Sequence, residues 1–251
     1  MRLSYSKLAD YDTCQRKFYH TYIEGRYAPP NKWMEAGRKI HEILYKSKQT
    51  KEWKKYLLEH PEYDQFGKMI NNYIEYQEGV VIAKGGNPFP IHAEVKMYDK
   101  DYNFSLVIDR VDEFNGNIMV TDYKSDAKPV DGKHDNQLLL YAYFFEKLTN
   151  KKVTHAAPFY IKARKKADPF MITQEKMDAA LTWMNGIRKE ILTKEKKPEN
   201  FPTTTSPLCE YCSHYMTGIC EDGKKWVADK YKTKEMEGNG QIVEKLHDIQ
   251  R

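Results

Sequence analysis

An aspartate and a lysine two residues apart close the segment Val120-Thr121-Asp122-Tyr123-Lys124, and the alternation of a strand puts both on the face that carries Ile118 and Val120. A carboxylate and an ammonium emerging side by side suit a divalent metal and an activated water. A lone D-x-K is most often an ordinary cross-strand ion pair. Here a second carboxylate, Asp109, lies in the preceding strand-like run Phe104 to Phe114, and the turn Asn115-Gly116-Asn117 favours an antiparallel hairpin. Two acids and a lysine then converge.

The cysteines are the second chemical signal. Cys209, Cys212 and Cys220 form C-x2-C-x7-C near the C-terminus, and Cys14, the fourth, lies far upstream. In a reducing cytoplasm two disulfides are disfavoured, whereas four thiolates suit a tetrahedral zinc site or an iron-sulfur cluster. Spacing alone places zinc slightly ahead. Cys14 as a plain small core residue is the simpler alternative, and three cysteines close together in a turn-rich segment argue against it.

The elements that must position these residues follow from periodicity. Ser6 is placed to cap a helix reaching about Tyr22, with Leu8, Tyr11, Gln15, Phe18 and Tyr22 at three- and four-residue spacing and Cys14 near that face. Further helices are predicted over 32–48, around Trp33, Gly37, Ile40, His41 and Leu44, and over 62–83, around Phe66, Met69, Ile70, Tyr73 and Ile74. Lys84-Gly85-Gly86-Asn87-Pro88 breaks the pattern, and strands are predicted over 91–98, 103–114 and 117–124. A helix over 136–148, a strand over 155–161 and a long helix over 173–193 follow, then a loop over 198–207 and a charge-rich tail from Lys230 with at most a short helix. The order β-β-β-α-β implies an α/β fold with a mixed sheet and helices packed on it.

Composition sets the bounds. The chain has 251 residues, enough to bury a sizeable core, and 41 Lys+Arg against 36 Asp+Glu leave a net charge of +5, a mild bias toward polyanions. No apolar run approaches the roughly 20 residues that span a bilayer, and no secretory signal opens the sequence. A soluble, cytoplasmic protein with no membrane partner is expected.

Five features stand in order: Gly37-x-x-x-His41, Glu94 in a strand, Asp109, Asp122-x-Lys124 and Gln137-x-x-x-Tyr141. With Cys14 and the C-terminal trio, and with Ser4-Tyr5-Ser6-Lys7-Leu8 and Cys14-Gln15-Arg16-Lys17-Phe18-Tyr19 at the start, this order resembles the RecB-like branch of the PD-(D/E)XK nuclease superfamily. The iron-sulfur nucleases of AddAB-type helicase-nucleases, of CRISPR adaptation and of phages are the near matches. The pattern departs from theirs at Gln15, where proline is common, before Asp109, where a glycine is usual, and in the long last cysteine gap.

The resemblance implies a restriction-endonuclease-like fold, with a helical region over 1–85 that contributes Cys14 and His41. A nuclease core over 86–205, a cysteine segment over 206–225 and a tail over 226–251 follow. It implies that His41, Asp109 and Asp122 bind Mg2+ or Mn2+ by side chain and Tyr123 by its carbonyl, while Lys124 orients or deprotonates the attacking water. Gln137 and Tyr141 brace Lys124 or touch DNA, and Glu94 is a secondary candidate, with pairing to Lys96 as its alternative. The resemblance moves the cysteines from Zn2+ to a structural 4Fe-4S cluster on Cys14, Cys209, Cys212 and Cys220. The expected activity is a DNA exonuclease on single-stranded ends, in recombination, repair or phage DNA metabolism, with a helicase or integration partner. A non-cleaving scaffold subunit and a flap or branched-DNA endonuclease are the rivals. Lys162, Arg164, Lys165 and Lys166 form a basic loop able to follow phosphates, and Lys194, Lys196 and Lys197 form another. Phe18, Tyr19 and Tyr22 could stack bases, though helical spacing favours the core.

Overall fold

The structure, a computed structural model, describes residues 1–236 except 28, 30, 31, 61, 62, 125–131, 133, 134, 164, 167 and 168. In chain order, α1 (Tyr5–Thr13) and α2 (Gln15–Phe18) lead into a π turn, Tyr19–Ile23. Helices α3 (Lys32–Ser47), α4 (Trp53–Glu59) and α5 (Tyr63–Tyr76) follow, and α5 runs on through a second π turn, Gln77–Val81, and a 3-10 turn, Ile82–Lys84. Next come β1 (His92–Asp99), β2 (Phe104–Phe114), β3 (Asn117–Lys124), α6 (Asp135–Thr149) and β4 (Val153–Tyr160). Two short strands, β5 (Lys165–Lys166) and β6 (Phe170–Met171), precede α7 (Gln174–Thr193). Beyond two 3-10 turns lie α8 (Ser213–Met216) and α9 (Glu221–Met236).

The sheet has the order β1-β2-β3-β4-β5, with β6 also on β4. β1, β2 and β3 form an antiparallel meander, and β4 runs parallel to β3 after α6, so the sheet is mixed as expected. The β2–β3 hairpin closes on Asn115 (φ 50°) and Gly116 (φ 76°), the two positive-φ positions a primed turn requires. That turn fixes the register: Arg110 pairs with Thr121, which sets Asp109 opposite Asp122.

The chain divides into two compact units, one of Met1–Leu8 with Lys32–Lys189 and one of Ala9–Asn31 with Glu190–Arg251. In the first, Ile40, Ile43 and Leu44 of α3 and Ile70, Tyr73 and Ile74 of α5 form a core with Tyr123 of β3 and Phe159 of β4. α6 is buried almost all round, and its Phe144 stacks on Phe104 of β2 with ring centroids 4.6 Å apart. In the second unit Phe18 and Phe201 are fully buried and stacked, and the Arg16 guanidinium donates to the Phe201 carbonyl at 2.8 Å.

Several boundaries differ from expectation. The first helix begins at Tyr5, so Ser6 lies inside it, and it breaks at Cys14, whose backbone is extended (φ −161°, ψ 109°). The predicted helix over 62–83 is α-helical only to Tyr76, widens into the π turn, then tightens into the 3-10 turn and stops at Gly85, with left-handed φ 77°. α4 was not anticipated from the pattern, because it anchors by only two buried residues, Trp53 and Leu57. α9 carries helix past Lys230 to Met236, and the tail beyond lies outside the described residues.

Candidate active site

Five elements of the first unit deliver the polar cluster. Helix α3 presents His41, whose Nδ1 lies 3.3 Å from Asp109 Oδ1 on β2 and 3.8 Å from Glu94 Oε1 on β1. Ligand atoms of these three residues all fall within 4.8 Å of one another, a donor set fit for a cation. His41 Nε2 faces the Tyr123 carbonyl at 3.2 Å, and the Tyr123 N–H donates to Asp109 Oδ2 at 2.7 Å. On β3, Lys124 Nζ stands 2.6 Å from Asp122 Oδ2 and donates to Gln137 Oε1 of α6 at 2.8 Å. The Gln137 amide nitrogen completes the frame, donating to Asp122 Oδ1 at 2.8 Å and to the Tyr141 hydroxyl at 2.9 Å. Gln137 therefore saturates its amide in clamping the D-x-K pair.

Glu94 stands out by its backbone. It has φ 50° in the middle of β1, where the ladder runs Ala93 to Arg110 and Val95 to Ile108 and skips Glu94. A side chain at left-handed φ inside a strand costs of order 1–3 kcal/mol, and such strain concentrates at functional sites. Here it turns a carboxylate toward His41 and Asp109. From the sequence Glu94 reads as a secondary candidate only, because an isolated acid in a strand carries no sign of its backbone conformation.

Charges at this site are mutually dependent. Burial works against a charged His41, but hydrogen bonds to Asp109 and Glu94 and the negative field of Asp109 and Asp122 outweigh it and raise its pKa to about 10. Asp122 is pushed up to about 6, first by burial and then by Asp109, with Lys124 and His41 opposing. Burial, and after it Asp122, also raises the Tyr141 phenol, which stays neutral. The cluster thus holds several acids in little water, with a protonated imidazole as compensating charge.

The family model of the PD-(D/E)XK nuclease superfamily matches residues 2–220. This chain belongs to the PD-(D/E)XK nuclease superfamily. The crystal structure of a putative exonuclease from Eubacterium rectale is similar in fold, with a TM-score of 0.53 and 16% identity over 84% of this chain and 86% of that one. No curated protein matches the chain. PD-(D/E)XK nucleases use divalent metals, and the acid and imidazole donors of His41, Glu94 and Asp109 fit such an ion. No helix among the described residues is long and apolar enough to cross a membrane.

The cleft of this PD-(D/E)XK nuclease encloses about 720 Å³ and is also lined by Arg38, Glu42, Tyr45 and Lys96. Sequence reading missed Arg38, Glu42 and Tyr45 and named Lys96 only as an ion-pair partner for Glu94. The signal for the missed three was present, since Arg38, Glu42 and Tyr45 follow one another along α3 at four and three residues, bracketing His41.

In the second unit all four cysteines are free and line one cavity of about 290 Å³, together with His20 and His214. The break at Cys14 belongs to this placement. Backbone N–H groups of Ser206 and Gly223 donate to Cys209 Sγ at 3.4 Å and Cys220 Sγ at 3.3 Å. Burial raises the Cys220 thiol, and Cys212 and Cys14 add to the shift, which places those sulfurs in one another's field. Among the described residues no three of the cysteine sulfurs lie within 4.8 Å of one another. A tetrahedral zinc at the usual Zn–S distance of about 2.3 Å would draw them to roughly 3.8 Å.

The expected DNA contacts fare unevenly. Lys162 is exposed, Arg164 lies outside the described residues, and only the backbone of Lys165 and Lys166 is described, as β5. Lys194, Lys196 and Lys197 turn inward or to neighbours: Lys194 donates to Gln15 Oε1 at 2.6 Å, Lys196 to the Ile191 carbonyl, and Lys197 pairs with Glu195 at 2.7 Å. Phe18 and Tyr19 are core, and the Tyr22 hydroxyl donates to Asp10 Oδ2 at 2.9 Å, so these rings do not form a base-stacking platform.

Proposed function

We propose that this PD-(D/E)XK nuclease is a metal-dependent deoxyribonuclease acting from single-stranded ends, in recombination, repair or phage DNA metabolism. The observation that carries the reading is the joining of the His41–Glu94–Asp109 donor set to the Asp122–Lys124–Gln137 clamp in one cleft. His41, Asp109, Asp122 and the Tyr123 carbonyl are the proposed holders of Mg2+ or Mn2+, with Glu94 added to them. The ion, when bound, supplies Lewis acidity at a phosphate and eases ionisation of water.

The chain's own groups supply the rest. Lys124, with one hydrogen bond to Gln137 and an ion pair to Asp122, keeps a further N–H to orient the attacking water. Gln137 fixes that ammonium, and Tyr141, neutral and buried, holds Gln137. Lys162, Arg164, Lys165 and Lys166 are proposed to follow the phosphate backbone, and a helicase or integration complex is the proposed setting. The four thiols are proposed to hold a 4Fe-4S cluster of structural role, supported by their common cavity and their N–H···S bonds.

The test is digestion of 5′- and 3′-labelled single and double strands with Mg2+ or Mn2+, products resolved over time. Laddering from one end of single strands is expected. Cutting of strands blocked at both ends shows an endonuclease instead, and DNA binding without cleavage shows a scaffold subunit.

A further inference from the structure

Each acid lining the metal cleft already faces a cation. Glu94 and Asp109 lie 3.8 and 3.3 Å from His41 Nδ1, Asp122 pairs with Lys124 at 2.6 Å, and Glu42 pairs with Lys39 at 3.4 Å and with Lys46 at 2.5 Å. Two cations of the lining are left over. The side chains of Arg38 and Lys96 make no hydrogen bond or ion pair among the described residues, and Lys96 does not pair with Glu94, which turns to His41 instead. Tyr45, 38% exposed on the wall that carries Arg38, likewise has neither a ring contact nor a hydroxyl partner among those residues. An exposed lysine or arginine is ordinarily a solvated charge. These two differ in lining a cleft whose own acids are all matched, so their charge is open to a ligand.

Their placement says what ligand. Helix α3 carries Arg38 three residues before His41 and Tyr45 four residues after it, so the three share one face along about 10 Å of helix. On the sheet, Lys96 of β1 is in register with Val107, and Val107 lies two residues before Asp109 on the same face. Positive charge therefore enters from the helix wall and from the sheet wall of one cleft, which also holds the donor set of His41, Glu94 and Asp109. A polyanion drawn among four carboxylates needs cations that no carboxylate already engages. We infer that Arg38 and Lys96 hold two phosphates of the substrate strand, one on each side of the linkage to be cut, and that Tyr45 stacks an unpaired base. Arg38 can present two N–H groups to a phosphate, and Lys96 acts as a point charge. The ring of Tyr45 is what selects: stacking needs a base out of its pair, so a single strand gains from it and a duplex does not. The inference rests on the reading of this cleft as the nuclease site.

Fluorescence anisotropy of the full chain with a short labelled oligothymidylate and with a labelled duplex of equal length tests this, with Ca2+ in place of Mg2+ and over a series of salt concentrations. Arg38→Ala and Lys96→Ala should each lower the slope of log affinity against log salt by about 0.7, the share of one phosphate on a single strand. Arg38→Lys should restore most of that slope. Tyr45→Ala should weaken the single strand about five- to a hundredfold and leave duplex binding unchanged, whereas Tyr45→Phe keeps the affinity. Lys55→Ala, the same loss of charge on α4, should change neither slope nor affinity. The inference is overturned if Arg38→Ala and Lys96→Ala together leave the slope intact, or if Lys55→Ala lowers it as much. It is also overturned if Tyr45→Ala binds the single strand like wild type or weakens both substrates equally. In each of these cases, cutting of labelled strands by the wild-type protein leaves the nuclease reading standing. A wild-type protein that neither binds nor cuts DNA removes that reading, and the inference with it.

Discussion

The ion and a proton compete for His41, and this fixes how metal affinity must depend on pH. In the metal-free protein the imidazole is held protonated by Asp109 and Glu94, with its pKa near 10. An imidazole ligates only when neutral, so at pH 7.5 binding must first remove a proton at a cost of about 2.5 pKa units, or roughly 3.4 kcal/mol. Between pH 7 and 9 the affinity for Mn2+ should rise about tenfold per unit, a hundredfold in all, because Asp122, at about 6, is already ionised over that range. The linkage sign agrees: in the absence of metal, His41 contributes stability that is complete below its unfolded pKa of about 6.5 and is lost as pH rises through 10. Titration with Mn2+ in two buffers of different ionisation enthalpy should show close to one proton released per ion at pH 7.5. A flat affinity from pH 7 to 9 with no proton release refutes His41 as a ligand or the charge balance drawn around it.

Lys124→Ala should lower cleavage at least about a hundredfold with DNA affinity retained, and Asp122→Asn should do likewise; full activity of either variant in a Mn2+ gel assay removes the assigned site. Gln137→Leu should lower activity less than Lys124→Ala and should shift its pH profile, since it frees Lys124 without removing it; an unchanged profile assigns Gln137 to packing alone. Lys48 is 8% exposed and lies among the rings of Trp53 and Tyr73, at 4.2 and 5.0 Å, and burial first and Arg110 second lower its pKa to about 6. The unfolded chain then binds the extra proton between pH 6 and 10.5, so stability rises with pH over that window. Lys48→Met should therefore stabilise the fold at pH 7, by at most about 5 kcal/mol, the cost of stripping the Lys48 proton at that pH, and flatten the slope; destabilisation in urea melts at pH 7 contradicts this. Anaerobically purified protein should be brown and lose its colour in Cys209→Ala, whereas a colourless protein with stoichiometric zinc reverses the cluster assignment.

What was legible in the sequence, and what was not, divides along the range of the interaction. The β2–β3 hairpin and its register were legible because Asn115 and Gly116 are local determinants of a primed turn, and from that register Asp109 and Asp122 must face each other. The clamp by Gln137 was half legible: helical spacing pairs it with Tyr141, but nothing in spacing says that the same amide spans Lys124 and Asp122 across the β3–α6 connection. Three features had no local signature. Glu94 depends on a left-handed residue that its strand neighbours tolerate only because the ladder to β2 skips it. Cys14 interrupts a helix whose apolar period continues straight through it, so the extended backbone there is set by the cavity it lines and not by propensity. The third is the pair of enclosed, unpartnered atoms Gln77 Oε1 and Thr121 Oγ1, on residues that read as a helix end and a strand position; that they lack partners among the described residues follows only from how the strands and the π turn after α5 pack, and not from any motif.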